Sequence, residues 1–208
     1  GGFVTNQKVD QYRGRDCHLG MYTQTDTNSL LTGDGPIVAA TTTYLNVADI
    51  DASPTTGSTF AAQPDWPRTV QFTLAGMSSN VVLVELWGLD FWGNGIYTSG
   101  SGNDNLSFEF ANPFAFRTLS AWKVTVVSGS IGAALTVSLG PSTALDLGVR
   151  IAASTDVIAV VEMNGTALEV VTLNVPYHTF VPTDAANGTR WWKTHIISTY
   201  GLDGQIAP

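Results

Sequence analysis

The sequence has one cysteine, little charge and no long apolar run, and each of these shortages excludes a class of protein. Cys17 has no second cysteine to pair with, so a framework of intrachain disulfides is excluded. No apolar stretch reaches the ~18 residues that a transmembrane helix needs. Charged residues make up 12% of the 208 residues, against about 25% in ordinary soluble domains. Threonine, serine, asparagine and glutamine must therefore supply most of the polar surface.

The balance of charge disfavours nucleic acids and anionic membranes as partners. Nine basic residues face 17 acidic residues, which gives a net charge of −8. Only Arg13 and Arg15 lie close together in sequence, so no basic face for phosphate contacts is predicted. An acidic surface is equally unsuited to an anionic membrane. Residues 1–16 lack the apolar core of a signal peptide, so we expect synthesis in a cytoplasm.

Short alternating apolar runs, separated by glycine-rich turns, dominate residues 68–200. The run VVLVELWG at 81–88 is the strongest strand signal, and Asn-Gly pairs at 94–95 and 164–165 predict tight hairpins. Residues 142–147 are predicted to form a turn. About eight to ten strands at roughly 8–12-residue spacing predict an all-β fold, an antiparallel β-sandwich with a jelly-roll-like arrangement.

The chain divides into two parts of different character. Residues 1–35 are polar, aperiodic and rich in turn formers, so an extended N-terminal arm is predicted there. Local disorder and ordering against a neighbouring molecule both fit that composition. Residues 36–208 are predicted to form the β-sandwich body. Pro67 disfavours helical backbone at Trp66 and leads the chain into a strand at Arg68.

Residues that could carry catalysis or bind a metal lack the required spacing. The three histidines, His18, His178 and His195, are far apart in sequence, and no Cys-x-x-Cys or His-x-x-x-His pattern is present. Strand carboxylates such as Glu85 and Glu109 alternate with apolar residues, as solvent-facing side chains do. No G-x-S-x-G nucleophile motif occurs. We therefore expect no catalytic residues, no metal and no cofactor.

Aromatic and arginine side chains are the candidates for binding a partner. Tryptophan, tyrosine and arginine are enriched among the residues that dominate the energetics of protein interfaces. Since adjacent strand residues point to opposite faces, one of the neighbouring tryptophans at 191–192 is expected to face outward. The candidate partner-binding residues are Tyr12, Arg13, Arg15, Tyr22, Trp66, Trp92 and Trp192.

Five short motifs follow one another through the body of the chain. They are a Pro-Arg pair leading into a strand, a G-x-D-x-x-G-N turn, an Ala-Phe-x-Thr strand and two segments that end in Leu-Gly. Here they read PRTV (67–70), GLDFWGN (88–94), AFRT (115–118), TVSLG (136–140) and LDLG (145–148). In this order they resemble a class of tailed-bacteriophage virion proteins, mostly small structural or head-decoration proteins. The resemblance covers about residues 68–150.

This resemblance implies a capsid decoration, or cement, protein. Such a protein binds the major capsid protein on the outside of the shell, stabilises the capsid without catalysis and commonly forms a homotrimer at a symmetry axis. It implies synthesis in the host cytoplasm and a final place on the capsid surface of the virion. Two alternatives stay open: a tail, neck or fibre component of a phage, and a carbohydrate-binding β-sandwich module in which exposed tryptophans stack on sugar rings.

Overall fold

The described part of the chain consists mainly of β-strands. The computed structural model describes residues 14–19, 30–37, 43–45, 55–56, 60–129, 135–162, 168–169, 171–187 and 190–197. Within these residues the helical structure consists of single turns of 3-10 helix at Ser154–Asp156 and Val175–Tyr177. Neither turn is long or apolar enough to cross a membrane. The predicted all-β fold class is confirmed.

The strands coincide with runs rich in valine, threonine and aromatic residues, which favour a pleated backbone. In chain order they are β1 (Gly14–Leu19), β2 (Leu31–Ile37), β3 (Thr43–Leu45), β4 (Thr55–Thr56), β5 (Arg68–Ala75), β6 (Val81–Leu89), β7 (Gly95–Gly102), β8 (Ser107–Glu109), β9 (Thr118–Ser128), β10 (Leu135–Asp146), β11 (Val157–Glu162), β12 (Leu168–Glu169), β13 (Thr172–Asn174), β14 (Thr179–Val181) and β15 (Trp192–Ile197).

These strands form three sheets. The first has the order β1-β15-β11-β12, and the second has the order β13-β14-β10-β5-β8, with β2 also paired to β10. The third has the order β4-β3-β9-β6-β7. The pairings within these sheets are antiparallel, except that β3 and β4 run parallel. Consecutive strands such as β5 and β6 lie in different sheets, as they do in a sandwich.

A hydrophobic core lies between the second and third sheets. β6 shows the expected alternation, because Val82, Val84 and Leu86 are buried while the residues between them are partly exposed. The facing sheet contributes Phe72 from β5 and Leu139 from β10, and both side chains are fully buried. Burial of each such side chain stabilises the fold by roughly 1.5–3 kcal/mol. The two sheets are therefore held face to face by one shared core.

A second hydrophobic cluster lies at the end of β10, where the second sheet meets the first. Its fully buried members include Leu145 from β10, Phe180 from β14, and Trp192 and Ile196 from β15. Trp66 packs against the edge of this cluster. The cluster fixes the end of β10 and the segments that follow it, and these segments form the candidate site described below.

β10 continues through the segment for which the sequence predicts a turn. The prediction of a turn at 142–147 is wrong, since β10 extends to Asp146. The pairing of β10 with β5 shifts register after Pro141, which has no N–H to give to the ladder. The buried Arg68 side chain donates from Nε and Nη2 to the Ser142 carbonyl oxygen, at 3.1 and 2.6 Å. The turn-forming residues thus mark a β-bulge instead of a chain reversal.

The hairpin predicted at Asn94-Gly95 is present between β6 and β7. The last strand pair joins Leu89 to Gly95, so residues 90–94 form the loop. Gly93 adopts a φ of +84°, and it is this glycine that supplies the left-handed backbone expected at Asn94-Gly95. The other predicted hairpin, at 164–165, lies outside the described residues.

Two strands come from the first 37 residues. β1, which lies within the predicted arm, pairs antiparallel with β15 from Gly14 opposite Ile197 to Leu19 opposite Trp192. β2 pairs with β10 and runs across the arm–body boundary predicted at residue 35. Leu30, next to β2, is buried in the shared core. These parts of the predicted arm therefore belong to the sheets of the body.

Candidate functional site

The loop between β6 and β7 is held in shape by one carboxylate. Asp90 Oδ1 accepts hydrogen bonds from the backbone N–H groups of Trp92 (2.9 Å) and Asn94 (2.8 Å). Asp90 Oδ2 accepts a third bond from Asn94 Nδ2 at 2.9 Å. Aspartate commonly stabilises turns in this way. The loop consequently presents the side chains of Phe91 and Trp92 in fixed positions, and Trp92 is 38% exposed.

Aromatic rings form a continuous series across this loop. The ring centroids of Trp66 and Phe91 lie 5.6 Å apart, and those of Phe91 and Trp92 lie 5.2 Å apart. Trp92 in turn meets the His178 ring edge-on at 5.9 Å. The Arg150 guanidinium carbon lies 4.7 Å from the centroid of the Trp92 ring, which is a cation–π contact. The tryptophans predicted at 66 and 92 are thereby brought to one surface.

Two concavities lie beside this series of rings. The first, called here the polar cleft, has a volume of about 170 Å³ and is lined in part by Asp90, Trp92, Asp146, Arg150, Tyr177 and His178. The second, called the aromatic depression, has a volume of about 420 Å³ and is lined in part by Pro64, Asp65, Trp66, Phe91 and Arg117. Trp92 lines the cleft and its neighbour Phe91 lines the depression, so the β6–β7 loop separates the two.

Asp146 is a buried acid in the wall of the polar cleft. It is the last residue of β10, and its residue surface is only 2% exposed. Its Oδ1 accepts a hydrogen bond of 2.6 Å from the backbone N–H of Gly148. Burial raises the pKa of this carboxyl from an ordinary 3.8 to about 7; the bond from Gly148 opposes the rise and the Asp90 charge adds to it. Near neutral pH the group therefore both donates and accepts hydrogen bonds.

His178, which also lines the polar cleft, has an unusual backbone conformation. It follows the 3-10 turn at Val175–Tyr177 with a φ of +55°, and no other non-glycine residue in the described ranges has a positive φ. A non-glycine residue in this region costs of order 1–3 kcal/mol and is often associated with a functional site. Its Nδ1 accepts a hydrogen bond from the Ile151 N–H at 3.2 Å, which places the proton of the neutral ring on Nε2. Burial, with a contribution from the Arg150 charge, lowers the pKa of His178 and favours that neutral form.

The Trp66 side chain joins the two concavities. Its indole Nε1 donates to the Asp146 carbonyl oxygen at 3.0 Å, while its ring packs on Phe91 and lines the depression. On the cleft side, the Tyr177 hydroxyl donates to Asn112 Oδ1 at 3.0 Å, which fixes the phenol ring against Phe114. Both walls are thus positioned by hydrogen bonds before any ligand arrives.

The structure contradicts the exposure expected of Trp192. This side chain is fully buried and packs edge-on against Phe180, with ring centroids 6.3 Å apart. The reason is strand alternation in β15, where Trp192, Thr194 and Ile196 face the core. Trp191 is the partly exposed member of the pair. Trp192 is therefore a core residue, and its assignment as a partner-binding residue is corrected.

The remaining predicted binding residues lie in the N-terminal part of the chain. Arg15 is in β1, opposite Ile196 of β15. Tyr12, Arg13 and Tyr22 lie outside the described residues.

Asp146, Arg150 and His178 line the polar cleft and were not among the partner-binding residues predicted from the sequence. Asp146 carried a weak signal, since an aspartate two residues before a glycine often caps a turn with its carboxylate. Arg150 and His178 carried none, because 27 residues separate Ile151 from the histidine that binds its N–H. Among the described residues, no group of three or more His, Cys, Asp and Glu side chains is placed to hold a metal ion.

Comparisons with family models, curated proteins and solved structures find no match to this chain. The surface described above therefore carries the case for function. It combines exposed aromatic rings, arginines and two preformed concavities, which are features of a binding surface.

Proposed function

We propose that the chain is a non-catalytic decoration protein of a bacteriophage capsid, which binds the major capsid protein on the outside of the shell. The order of short motifs along residues 67–148 supports this proposal, as does a body of strands with few charged side chains. The observation that carries it is the aromatic depression formed by Trp66, Phe91 and Arg117. In this proposal the depression is the contact with the capsid.

The depression has the composition of an interface anchor. Tryptophan and arginine are over-represented among residues whose truncation costs a complex 2 kcal/mol or more. Its volume of about 420 Å³ is large enough to accept a side chain of the partner. Arg117 Nη1 donates to the Phe91 carbonyl oxygen at 3.3 Å, which ties the arginine to the loop. Because these groups are already held in place, little conformational entropy is lost when a partner binds.

Attachment of this kind would stabilise a shell through linkage. A protein that binds the assembled shell and not its separated subunits shifts the equilibrium towards assembly. We propose that the chain acts as a homotrimer, because three linked contacts hold a shell far more tightly than one. The proposed location of the protein is therefore the capsid surface of the virion.

Co-sedimentation with capsid shells that lack the decoration protein tests the proposal. The wild-type chain is expected to sediment with the shells and to saturate. Phe91→Ala and Arg117→Ala are expected to weaken binding at least tenfold, a loss of about 1.4 kcal/mol each. Leu106→Ala is the matched control, since Leu106 is 56% exposed and lies away from the depression in the loop before β8. The proposal is wrong if the wild-type chain stays in the supernatant, or if all variants bind alike.

A further inference from the structure

We propose that the polar cleft binds one unit of a neutral saccharide, with the sugar ring against Trp92 and its hydroxyls on Asp146, Arg150 and His178. This site lies on the other side of the β6–β7 loop from the aromatic depression and does not depend on attachment to a capsid. The size of the cleft, its charge, the state of its polar groups and the backbone of His178 support this assignment.

The size of the cleft limits the ligand to one small unit. Its volume of about 170 Å³ is below the 300–1,000 Å³ that is usual for drug-sized ligands. Trp92 lines the cleft and is 38% exposed, and the Arg150 guanidinium lies over one face of its ring, so the sugar would pack on the part of the indole that Arg150 leaves uncovered. An apolar ring face beside clustered polar groups matches a sugar ring, which has a C–H face and a rim of hydroxyls.

The charges around the cleft favour a ligand without net charge. Arg150 supplies a positive charge and Asp90 a negative one. His178 is kept neutral by its surroundings, since burial and Arg150 lower its pKa. Asp146 is divided between its neutral and ionised forms near pH 7, because its pKa lies at about 7. With this near balance, neither an anion nor a cation gains a large attraction.

The polar groups that line the cleft have capacity left for a ligand. Asp146 Oδ1 accepts a hydrogen bond from the Gly148 N–H, and Oδ2 is the oxygen that we assign to a ligand hydroxyl. A hydroxyl suits either protonation state of Asp146, because it can both donate and accept. Asp90 is not counted as a ligand group, since its oxygens already accept three bonds from the loop.

The left-handed backbone of His178 is an independent sign of a binding site. This conformation is retained at a cost of order 1–3 kcal/mol. It holds the imidazole between the Ile151 N–H and the Trp92 ring edge. With Nδ1 occupied, the Nε2–H of the neutral ring is the donor that is left for a ligand.

Titration of the ¹⁵N-labelled full chain with a panel of neutral methyl glycosides, observed by NMR, tests this site. At least one hexoside or N-acetylhexosaminide is expected to shift the indole N–H signal of Trp92 at millimolar concentration. Arg150→Met is expected to weaken that binding at least tenfold, and so is Trp92→Ala, which lacks the indole and is followed through the backbone N–H signals of the β6–β7 loop. Arg117→Ala, in the aromatic depression, is the control and is expected to bind sugar as the wild type does.

Three results would overturn the inference. The first is that no neutral glycoside shifts the Trp92 signal up to tens of millimolar. The second is that Arg150→Met, which removes a partly exposed side chain and leaves the core intact, binds sugar as tightly as the wild type. The third is that methyl glucuronide or inorganic phosphate binds at least tenfold more tightly than every neutral glycoside. Each of these leaves the shell-binding proposal standing, because that proposal has its own assay and its own variants.

Discussion

Replacing the buried acid Asp146 by asparagine is expected to stabilise the protein above pH 7. Asparagine keeps an oxygen that can accept from the Gly148 N–H, but it cannot ionise. A folded-state pKa of about 7 in place of an ordinary 3.8 means that the folded chain binds this proton more tightly than the unfolded chain does. The stability contributed by the bound proton is therefore present below pH 3.8, falls as the pH rises, and is lost above about 7.

The magnitude follows from the separation of the two pKa values. This separation corresponds to a loss of about 4 kcal/mol of unfolding free energy by the wild-type chain between the acid and alkaline limits. Asp146→Asn escapes this loss, so its stability relative to the wild type is expected to rise by up to about 4 kcal/mol between pH 4 and pH 8. Asp90, Arg150 and His178 also face the cleft; the Asp90 charge raises the midpoint of this rise and the Arg150 charge lowers it.

Urea unfolding of both proteins at each pH, followed by tryptophan fluorescence, measures the difference. Asp104→Asn, at an exposed position in the loop after β7, controls for the loss of one negative charge. A difference in unfolding free energy between Asp146→Asn and wild type that is the same at every pH does not come from ionisation. The change of that difference with pH is therefore the quantity that tests the ionisation of Asp146. A difference between Asp146→Asn and wild type that stays flat from pH 4 to pH 8 would refute the reasoning.

Three further predictions concern the packing of the body; the substitutions are read as free energies of unfolding and the deletion as a melting temperature. Gly88→Ala is expected to lower the free energy of unfolding by about 3 kcal/mol or more, because a Cβ there would lie 2.1 Å from the Thr118 carbonyl oxygen. Gly95→Ala is the control, since the space around Gly95 is open. Equal losses of stability in the two variants would contradict the packing at Gly88. Trp192→Ala is expected to cost about 3–5 kcal/mol as a buried residue. Trp191→Ala is expected to lower the free energy of unfolding much less than Trp192→Ala does. A larger loss for Trp191→Ala would mean that Trp191, and not Trp192, faces the core. Deleting residues 1–35 is expected to lower the melting temperature, because the deletion removes β1, which pairs with β15, and most of β2. An unchanged melting temperature would show that the stability of the body does not depend on β1 and β2.

The sequence predicted the class of fold because alternation of apolar residues is a local signal. The pattern around Val82, Val84 and Leu86 is visible in seven residues of sequence, and the structure buries these three side chains. The hairpin at Asn94-Gly95 was predicted for the same reason, although the left-handed residue is Gly93. Short-range sequence patterns were therefore sufficient to predict β6 and the hairpin that follows it.

The sequence failed where long-range packing decides the structure. Turn-forming residues at 142–147 form a bulge because the buried Arg68 side chain reaches the Ser142 carbonyl from β5. The alternation of side chains along a strand required one of the two tryptophans at 191–192 to face the core, but the sequence did not show which one. The core around Phe180 determines that this residue is Trp192.

The candidate site was predictable only in part. Trp66 and Trp92 were identified from their residue type, but their contact through Phe91 depends on the shape of the β6–β7 loop. The cleft combines Asp146 from the end of β10 with Arg150 and His178 from later segments. No spacing rule links these three positions, so only the fold could bring them together.

The most direct test of the central proposal is a cryo-electron microscopy reconstruction of shells mixed with this chain. We expect added density on the outside of the shell, arranged as trimers, with the β6–β7 loop and the depression at Trp66 and Phe91 directed towards the major capsid protein. Shells that show no added density would contradict the proposed function. Added density with the depression facing solvent would contradict the assignment of this surface as the capsid contact.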